Sequence, residues 1–213
     1  MTERLVKIFS ALPKCSVFAD IGCDHGYIAK AMLDSGKCDR VIISDISAKC
    51  LLKAQSLLKK YELDGRVKSV VCDGFSKVDF CDLALIAGMG GEEISAILSS
   101  AKFLPENLVI QPMKNCDKAR NTAVMKGYKI VSDFLFKSGG KFYDLIVMKK
   151  GEDRLTEEEK EFGRDNLKTP NPDFIEMLKL RMEKLKVYAS QKGLSEKLKQ
   201  EFLTEIERLK KYV

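Results

Sequence analysis

The stretch "ADIGCDHGYIAKAML", residues Ala19–Leu33, runs from an apolar strand through a glycine turn into a helix. Such a turn lets a ligand approach the backbone N–H groups at a helix N-terminus, as nucleotide-like cofactors do. Only "CDH" separates Gly22 from Gly26, so the G-x-G-x-x-G pattern of dinucleotide sites is not met. A cofactor with a pyrophosphate group is therefore disfavoured.

Two acids shape this turn. Asp20 ends the strand and Asp24 lies inside the bend. Carboxylates repel phosphate, but they suit a cofactor with a cationic ammonium and a sulfonium centre. That description fits S-adenosylmethionine. The alternative is an ordinary strand-to-helix turn in which Gly26 serves only packing.

The sequence outside this turn predicts an α/β fold. Helical stretches alternate with five apolar strands, "SVFADIG", "RVIISDI", "VKSVVCDG", "DLALIAGM" and "ENLVIQPM". This alternation predicts a parallel sheet covered on both faces. Two last strands, "YKIVSDFLFK" and "KFYDLIVMKK", are joined only by "SGG" and must form an antiparallel hairpin. The pattern is similar to the Rossmann-like seven-stranded methyltransferase sheet, in which one late strand is antiparallel.

The chain changes character near residue 153, after which no strand pattern appears. Thr156 and Glu159 have the spacing of a capping box. Apolar residues then recur at steps of three and four in two segments joined by a turn at Gly193, which predicts an antiparallel helical hairpin or coiled coil. We expect a methyltransferase domain over 1–153 and a helical domain over 154–213, which either only packs or grips one end of an RNA. The apolar residues are Ile175, Leu178, Met182, Leu185 and Ala189, then Phe202, Ile206, Leu209 and Val213.

Composition excludes several classes of protein. No stretch approaches the length of uncharged apolar residues that a membrane helix needs, and the N-terminus lacks a signal-peptide pattern. The seven cysteines are scattered without a C-x-x-C pair, and there is one histidine, so no metal site is expected. We expect a cytoplasmic protein with reduced cysteines.

The positive charge is concentrated in the middle of the chain. Residues 102–151 hold ten lysines and arginines against four acids, whereas the segments on either side are balanced. A local surplus of this kind suits a polyanionic partner such as RNA. The alternative is a solvated face of lysines. The predicted RNA-binding residues, which begin at the rim of the predicted pocket, are Lys114, Lys118, Arg120, Lys126 and Lys129.

Acids also end the second and third strands. Asp45 could accept both hydroxyls of a ribose, or it could cap the next helix. Asp73 and Gly74 could accept the amino proton of the cofactor's adenine. Ligands of open α/β sheets bind at the carboxyl ends of strands, where these acids meet. The predicted cofactor-binding residues are Asp20, Gly22, Asp24, His25, Gly26, Asp45, Ile46, Asp73, Gly74 and Gly88.

The fourth strand ends in a loop nearly without side chains, Gly88–Gly91. It has neither the N-P-P-Y or D-P-P-Y box of exocyclic-amine methylation nor the Pro-Cys pair of a cysteine nucleophile. Such a loop lets a flat base lie against the backbone, and a ring nitrogen such as N1 of adenine needs placement more than a base. The alternative is a glycine-rich turn that only packs. The predicted active-site residues are Gly88, Met89 and Gly90, together with Gln111 and His25. Gln111 could read a base edge or simply satisfy backbone groups. His25 could hydrogen-bond in the first turn or transfer a proton.

Four segments together resemble the bacterial tRNA methyltransferases that modify N1 of adenine 22. They are "RLVKIFSALPKCSVFADIGCDHGYIAKAML", "LIAGMGGEEISAIL", "LVIQPM" and "FYDLIVMKKG". The resemblance covers nearly the whole chain. It implies a Rossmann-like domain with a C-terminal coiled coil, S-adenosylmethionine as methyl donor and the D-arm region of tRNA as substrate, with no membrane, metal or protein partner implied. Two rival functions are a small-molecule methyltransferase and a non-catalytic RNA-binding protein with the same fold.

Overall fold

A computed structural model describes residues 1–213 and contains one seven-stranded sheet, in the order β3-β2-β1-β4-β5-β7-β6. Strand β7 is antiparallel to both neighbours and the other pairs are parallel, which confirms the predicted Rossmann-like fold. Gly139 and Gly140 close the β6–β7 hairpin with left-handed φ angles of +56° and +75°, as a tight hairpin turn requires. The strands are β1 (Val17–Ile21), β2 (Arg40–Asp45), β3 (Val67–Val71), β4 (Leu83–Met89), β5 (Asn107–Pro112), β6 (Tyr128–Ser138) and β7 (Lys141–Lys150).

Helices cover both faces of the sheet, because the strands alternate their side chains between two apolar clusters. One cluster includes Phe18 of β1 with Ile8 and Leu58 from the helices of one face. The other includes Ile21 of β1 and Ile94 from the opposite face. The helices are α1 (Glu3–Ala11), α2 (Tyr27–Asp34), α3 (Ala48–Leu63), α4 (Gly91–Ser100), α5 (Cys116–Met125), α6 (Glu157–Phe162), α7 (Arg164–Lys168), α8 (Pro172–Ala189) and α9 (Glu196–Leu209).

Among the helices after residue 153, α7 and α8 pack against the outer strand β6, α6 packs against α5, and α9 packs against α8. The ring of Tyr188, near the end of α8, lies 6.0 Å from that of Phe202 in α9. Arg181, farther back in α8, pairs with Glu205, farther along α9, at 2.7 Å, so the two helices run antiparallel.

A third apolar cluster joins these helices to Leu135 of β6. It contains Leu178, Met182, Ile206 and Leu209 from the predicted apolar positions, and it adds Phe162 and Phe174. The other predicted positions are half-buried, except Val213, which is exposed. Thr156 and Glu159 form the predicted capping box at the start of α6. No helix combines the length and apolar character needed to cross a membrane.

Candidate active site

The carboxyl ends of β1 to β4 meet at a cavity of about 390 Å³. The parallel register of these strands brings their end residues to one edge of the sheet, although they are far apart in the sequence. Eight of the residues predicted to bind cofactor or substrate line the cavity: Gly22, Asp24, Asp45, Ile46, Asp73, Gly74, Gly88 and Met89.

A second cavity of about 230 Å³ adjoins the first. The two share Arg4, Gly22, Asp24 and Ala87 along their walls. Asp20 and His25, also predicted from the sequence, line this second cavity. The two cavities together form one elongated cleft across the ends of β1 and β4.

Gly26 lies outside both cavities. Its φ angle of +70° starts α2, and a Cβ atom there would lie 3.0 Å from the Cβ of Ala54 in α3. The structure therefore favours the alternative interpretation of this residue, in which Gly26 allows two helices to approach closely.

Asp45 connects two loops of the cleft. One carboxylate oxygen accepts a hydrogen bond from the backbone N–H of Ser47 at 2.8 Å, and the other accepts one from that of Asp24 at 3.4 Å. The N-cap of α3 is Ser47, whose hydroxyl accepts a hydrogen bond from the N–H of Cys50. Asp45 is thus not the helix cap, and lone pairs of its carboxylate remain free for a ligand.

Asp20 is buried at the end of β1, with 6% of its surface exposed. Burial raises the pKa of this carboxyl to about 7, and the nearby charge of Asp45 adds to the rise, while a hydrogen bond from the backbone of Ala29 opposes it. A cation beside Asp20 would favour its ionised form. The ammonium group of S-adenosylmethionine is such a cation.

Two glycines shape the walls of the first cavity. A Cβ atom on Gly74, whose φ angle is +51°, would lie 2.8 Å from Ile97. A Cβ atom on Gly22, whose φ angle is +73°, would lie 1.9 Å from Cε of Met89, so the Met89 side chain reaches from β4 to the β1 turn. These bare backbone positions and the surrounding carboxylates fit S-adenosylmethionine, and they are unsuited to a pyrophosphate.

His25 forms a hydrogen bond within the first turn. Its Nδ1 lies 2.6 Å from a carboxylate oxygen of Asp24, whose own φ angle of +40° is unusual for a residue other than glycine. The carboxylate orients the imidazole ring at the rim of the second cavity. His25 therefore makes a hydrogen bond within the first turn, as one of its two predicted roles requires.

The predicted contact between Gln111 and a substrate base is wrong for this structure, because Gln111 is completely buried. Its Oε1 accepts a hydrogen bond from Nη1 of Arg4 at 2.8 Å, and its Nε2 donates to the backbone oxygen of Pro112 at 2.9 Å. Gln111 therefore positions Arg4 and does not face the cleft.

Arg4 is a residue of the cleft that the sequence patterns missed. It lines both cavities, and its guanidinium lies 5.7 Å from the ring centroid of Tyr143. It has no carboxylate partner among the ion pairs of the chain. Nothing near Arg4 in the sequence marks a ligand site, because its position depends on how α1 packs against the ends of β4 and β5.

The prediction that Arg120 binds RNA is also wrong. Arg120 is completely buried, and it donates to Asp133 through Nε and Nη2 at 2.7 and 2.8 Å, while Nη2 also pairs with Asp144. Its Nη1 donates to the backbone oxygen of Lys160 at 3.0 Å. Burial alone would lower the pKa of the guanidinium, but these two carboxylates raise it, so Arg120 is a charged link between α5, the β6–β7 hairpin and α6.

Of the other predicted RNA-binding residues, Lys114, Lys118 and Lys129 are exposed and Lys126 is half-buried, and the four do not form one surface. Lys114 lies beside the Gly90 loop and Lys118 pairs with Glu92. Lys126 donates to the backbone oxygen of Ser99, at the far end of α4, and Lys129 lies opposite Lys149 near the start of β5. Helix α5 carries the chain from the cleft back along the sheet, so the last two lysines lie at the opposite end.

Comparison with known proteins agrees with this geometry. A family model described as a methyltransferase domain matches residues 1–146. A Mycoplasma pneumoniae protein named "Putative tRNA methyltransferase" is 31% identical over 157 residues, which cover 70% of this chain and 72% of that protein. The tRNA (adenine(22)-N(1))-methyltransferase of Bacillus subtilis is 27% identical over 157 residues, which cover 71% and 66%.

A solved structure extends the likeness over the whole chain. The structure of M. capricolum TrmK in complex with S-adenosyl-homocysteine is 25% identical and superposes with a TM-score of 0.87, covering 100% of this chain and 97% of that chain. The matched domain, the relatives and the carboxylate-lined cleft agree with the family expected from the sequence motifs. The chain belongs to the S-adenosylmethionine-dependent tRNA (adenine-22-N1)-methyltransferase family.

Proposed function

We propose that this protein transfers a methyl group from S-adenosylmethionine to N1 of an adenine in tRNA, namely adenine 22 in the D-arm region. The observation that carries the proposal is the convergence of three acid-bearing strand ends on one cavity beside the side-chain-poor loop of β4. The relatives named as tRNA methyltransferases support the substrate class.

Each part of the cofactor has a chemically suited partner in the cleft. The Asp45 carboxylate accepts hydrogen bonds from the ribose hydroxyls, and Asp73 with Gly74 receives the adenine. Asp20 provides a negative charge for the ammonium group, and Arg4 provides a positive charge for the carboxylate. When bound, the cofactor supplies an electrophilic methyl group.

The loop Gly88–Gly91 suits a nucleophile that needs no deprotonation. N1 of adenine carries an in-plane lone pair, so the protein must align the ring with the methyl group and keep water away. The loop presents mostly backbone to a flat base, and its one side chain, that of Met89, reaches to the Gly22 turn. A stacked or paired adenine must first be unstacked, at a cost of a few kcal/mol.

Contacts to the rest of the tRNA provide the energy that offsets this cost. Lys114 and Lys118 are the exposed cations beside the β4 loop, and they contact phosphates near the target base. The helical segment 154–213 contacts the tRNA beyond the cleft as a separate domain. This substrate also implies that the protein works in the cytoplasm, where tRNA is modified.

The test is methyl transfer from labelled S-adenosylmethionine to unmodified tRNA, followed by nucleoside digestion. We expect 1-methyladenosine with the wild-type protein, its loss with Asp45→Ala, and its loss when the tRNA carries guanine at position 22. S-adenosylhomocysteine binding without transfer to any tRNA would contradict the proposal and favour a small-molecule substrate. If transfer persisted with guanine at position 22, only the assignment of adenine 22 as the target would be contradicted.

A further inference from the structure

Two aromatic side chains form an exposed pair at the rim of the second cavity. Tyr27 is the first residue of α2 and is 48% exposed. The His25 ring is nearly parallel to it, with an interplanar angle of 5° and centroids 5.6 Å apart. The Tyr27 hydroxyl has no hydrogen-bond partner within the protein, so packing and hydrogen bonding do not account for its position.

Hydrogen bonds hold the imidazole of His25 and the turn beneath the pair in place. Asp24 fixes the imidazole of His25 through the hydrogen bond of 2.6 Å. Below the rings, the N–H of Gly26 donates to the backbone oxygen of Cys23 at 2.8 Å, and that of Gly22 donates to Ser44 at 2.8 Å. A ligand that stacks beside the fixed His25 ring therefore meets part of its surface already in place, which limits the conformational entropy lost on binding.

The position of the pair indicates what it binds. Both rings line the second cavity, which shares Gly22 and Ala87 with the first, so a group stacked there lies beside the β1 turn and the end of β4. An aromatic face at the surface suits a flat π-system, and every nucleobase offers one. RNA-binding proteins recognise unstacked bases in this way.

We propose that an unstacked base of the tRNA substrate stacks on the part of the Tyr27 ring that His25 leaves uncovered. This inference rests on the proposed function, since it requires a nucleic-acid substrate. Stacking at the rim compensates for the stacking that the base loses when it leaves the RNA. Tyr27 is then a substrate-binding residue, and His25 with Asp24 positions it.

The first experiment uses intrinsic fluorescence, because the chain contains no tryptophan. Tyr27→Trp introduces a single indole at the position of the Tyr27 ring, which we call the stacking platform. The matched control is Phe80→Trp, because Phe80 is 57% exposed and lines a cavity with Val17 and Arg40 at the opposite end of the sheet. With S-adenosylhomocysteine saturating, we expect unmodified tRNA to quench the emission of Tyr27→Trp and to leave that of Phe80→Trp unchanged.

The second experiment measures the KM for tRNA at saturating S-adenosylmethionine. We expect Tyr27→Leu to raise this KM about tenfold and Tyr27→Phe to stay within about twofold of wild type, since stacking needs the ring and not the hydroxyl. The Kd for S-adenosylhomocysteine should be unchanged in both variants.

The proposal that a tRNA base stacks on Tyr27 would be overturned if the KM of Tyr27→Leu for tRNA stayed within about twofold of wild type. It would also be overturned if tRNA failed to quench the emission of Tyr27→Trp at concentrations that saturate methyl transfer. A parallel loss of S-adenosylhomocysteine affinity would also overturn it, because Tyr27 would then serve the cofactor. Wild-type protein that methylates no tRNA would instead overturn the proposed function, so the two failures are distinguishable.

Discussion

The Asp45 carboxylate holds two backbone segments of the cleft before any ligand arrives. It accepts hydrogen bonds from the N–H groups of Asp24 and Ser47, which fixes the direction of the carboxylate at the end of β2. A carboxylate offers about four acceptor sites, so two hydroxyl donors can still be accommodated. Asp45 therefore has both a structural role and a proposed ligand-binding role.

Replacing Asp45 with alanine should weaken binding of S-adenosylhomocysteine at least tenfold, because each lost hydrogen bond to a charged group is worth about 1.5–3 kcal/mol. Isothermal titration calorimetry measures the change. Asp64→Ala is the control, since Asp64 is an exposed acid outside both cavities, and it should bind as wild type does. If Asp45→Ala bound S-adenosylhomocysteine with an unchanged Kd, Asp45 would not be the residue that binds the ribose hydroxyls.

The raised pKa of Asp20, about 7, makes the stability of the ligand-free protein depend on pH. A raised pKa means that the folded state holds the proton more tightly than the unfolded state. The stabilisation is complete below about pH 4, the ordinary pKa of Asp, and is lost as the pH rises through about 7.

Asp20→Asn keeps a neutral group of similar shape at this position. Its free energy of unfolding should therefore exceed that of wild type by an amount that grows from pH 4 to pH 7, to about 4 kcal/mol by linkage, and is then constant. Urea denaturation at several pH values measures the difference. The same difference at every pH would show that Asp20 titrates normally.

At the scale of elements, Gly26 sets how closely α2 and α3 pack. Its position combines a left-handed backbone with a contact to Ala54, whereas Gly36 has a similar φ angle of +66° and no atom within 4 Å of its missing Cβ. Comparing the two glycines separates backbone strain from helix packing.

Gly26→Ala and Gly36→Ala should each lower the free energy of unfolding by about 1–2 kcal/mol, because alanine is strained at a left-handed φ angle. Gly26→Ala should lose roughly 1 kcal/mol more, because the added methyl group meets α3. If urea denaturation showed the same decrease in the free energy of unfolding for both variants, α2 and α3 would be able to move apart at no cost in stability.

Arg120 joins four elements through one buried guanidinium. Arg120→Met should lower the free energy of unfolding by about 3–5 kcal/mol, because Asp133 is left buried without its counterion. Lys118→Met, which removes an exposed pair with Glu92, should cost less than about 1 kcal/mol.

Thermal and urea unfolding of the two variants provide the comparison. At a temperature where both are folded, tRNA affinity should be retained in Arg120→Met. A selective loss of affinity with unchanged stability would restore Arg120 as an RNA contact.

For the whole molecule, the positive surplus of residues 102–151 is spread over both ends of the sheet. Only the lysines beside the cleft can contact the same region of tRNA as the reacting base. Binding should therefore weaken steeply with salt, but not every lysine should contribute to the salt dependence.

Lys114→Ala should reduce the slope of log Kd against log salt concentration by about 1, the value for one lost phosphate contact. Lys129→Ala, at the opposite end of the sheet, should leave the slope unchanged. Filter binding with unmodified tRNA from low to moderate salt measures both slopes. Equal reductions would mean that the tRNA extends around the sheet edge.

The alternation of strands and helices and the acids at the strand ends were predictable from sequence alone. Alternating strand and helix patterns require parallel crossovers, and parallel strands place their carboxyl ends at one edge whatever the details of packing. Asp20, Asp45 and Asp73 were therefore expected at the same edge of the sheet, and the strand order then made them neighbours. The "SGG" turn likewise required an antiparallel hairpin, because three residues cannot span a crossover.

Only the tertiary structure decided which polar side chains reach the cleft. Arg4 enters it because α1 packs across the strand ends, and that packing buries Gln111 beneath the guanidinium. Helix α5 turns Arg120 inward toward two carboxylates and carries Lys129 to the far end of the sheet. Local sequence sets the type and order of the elements, but exposure and partners depend on contacts between residues distant in the chain.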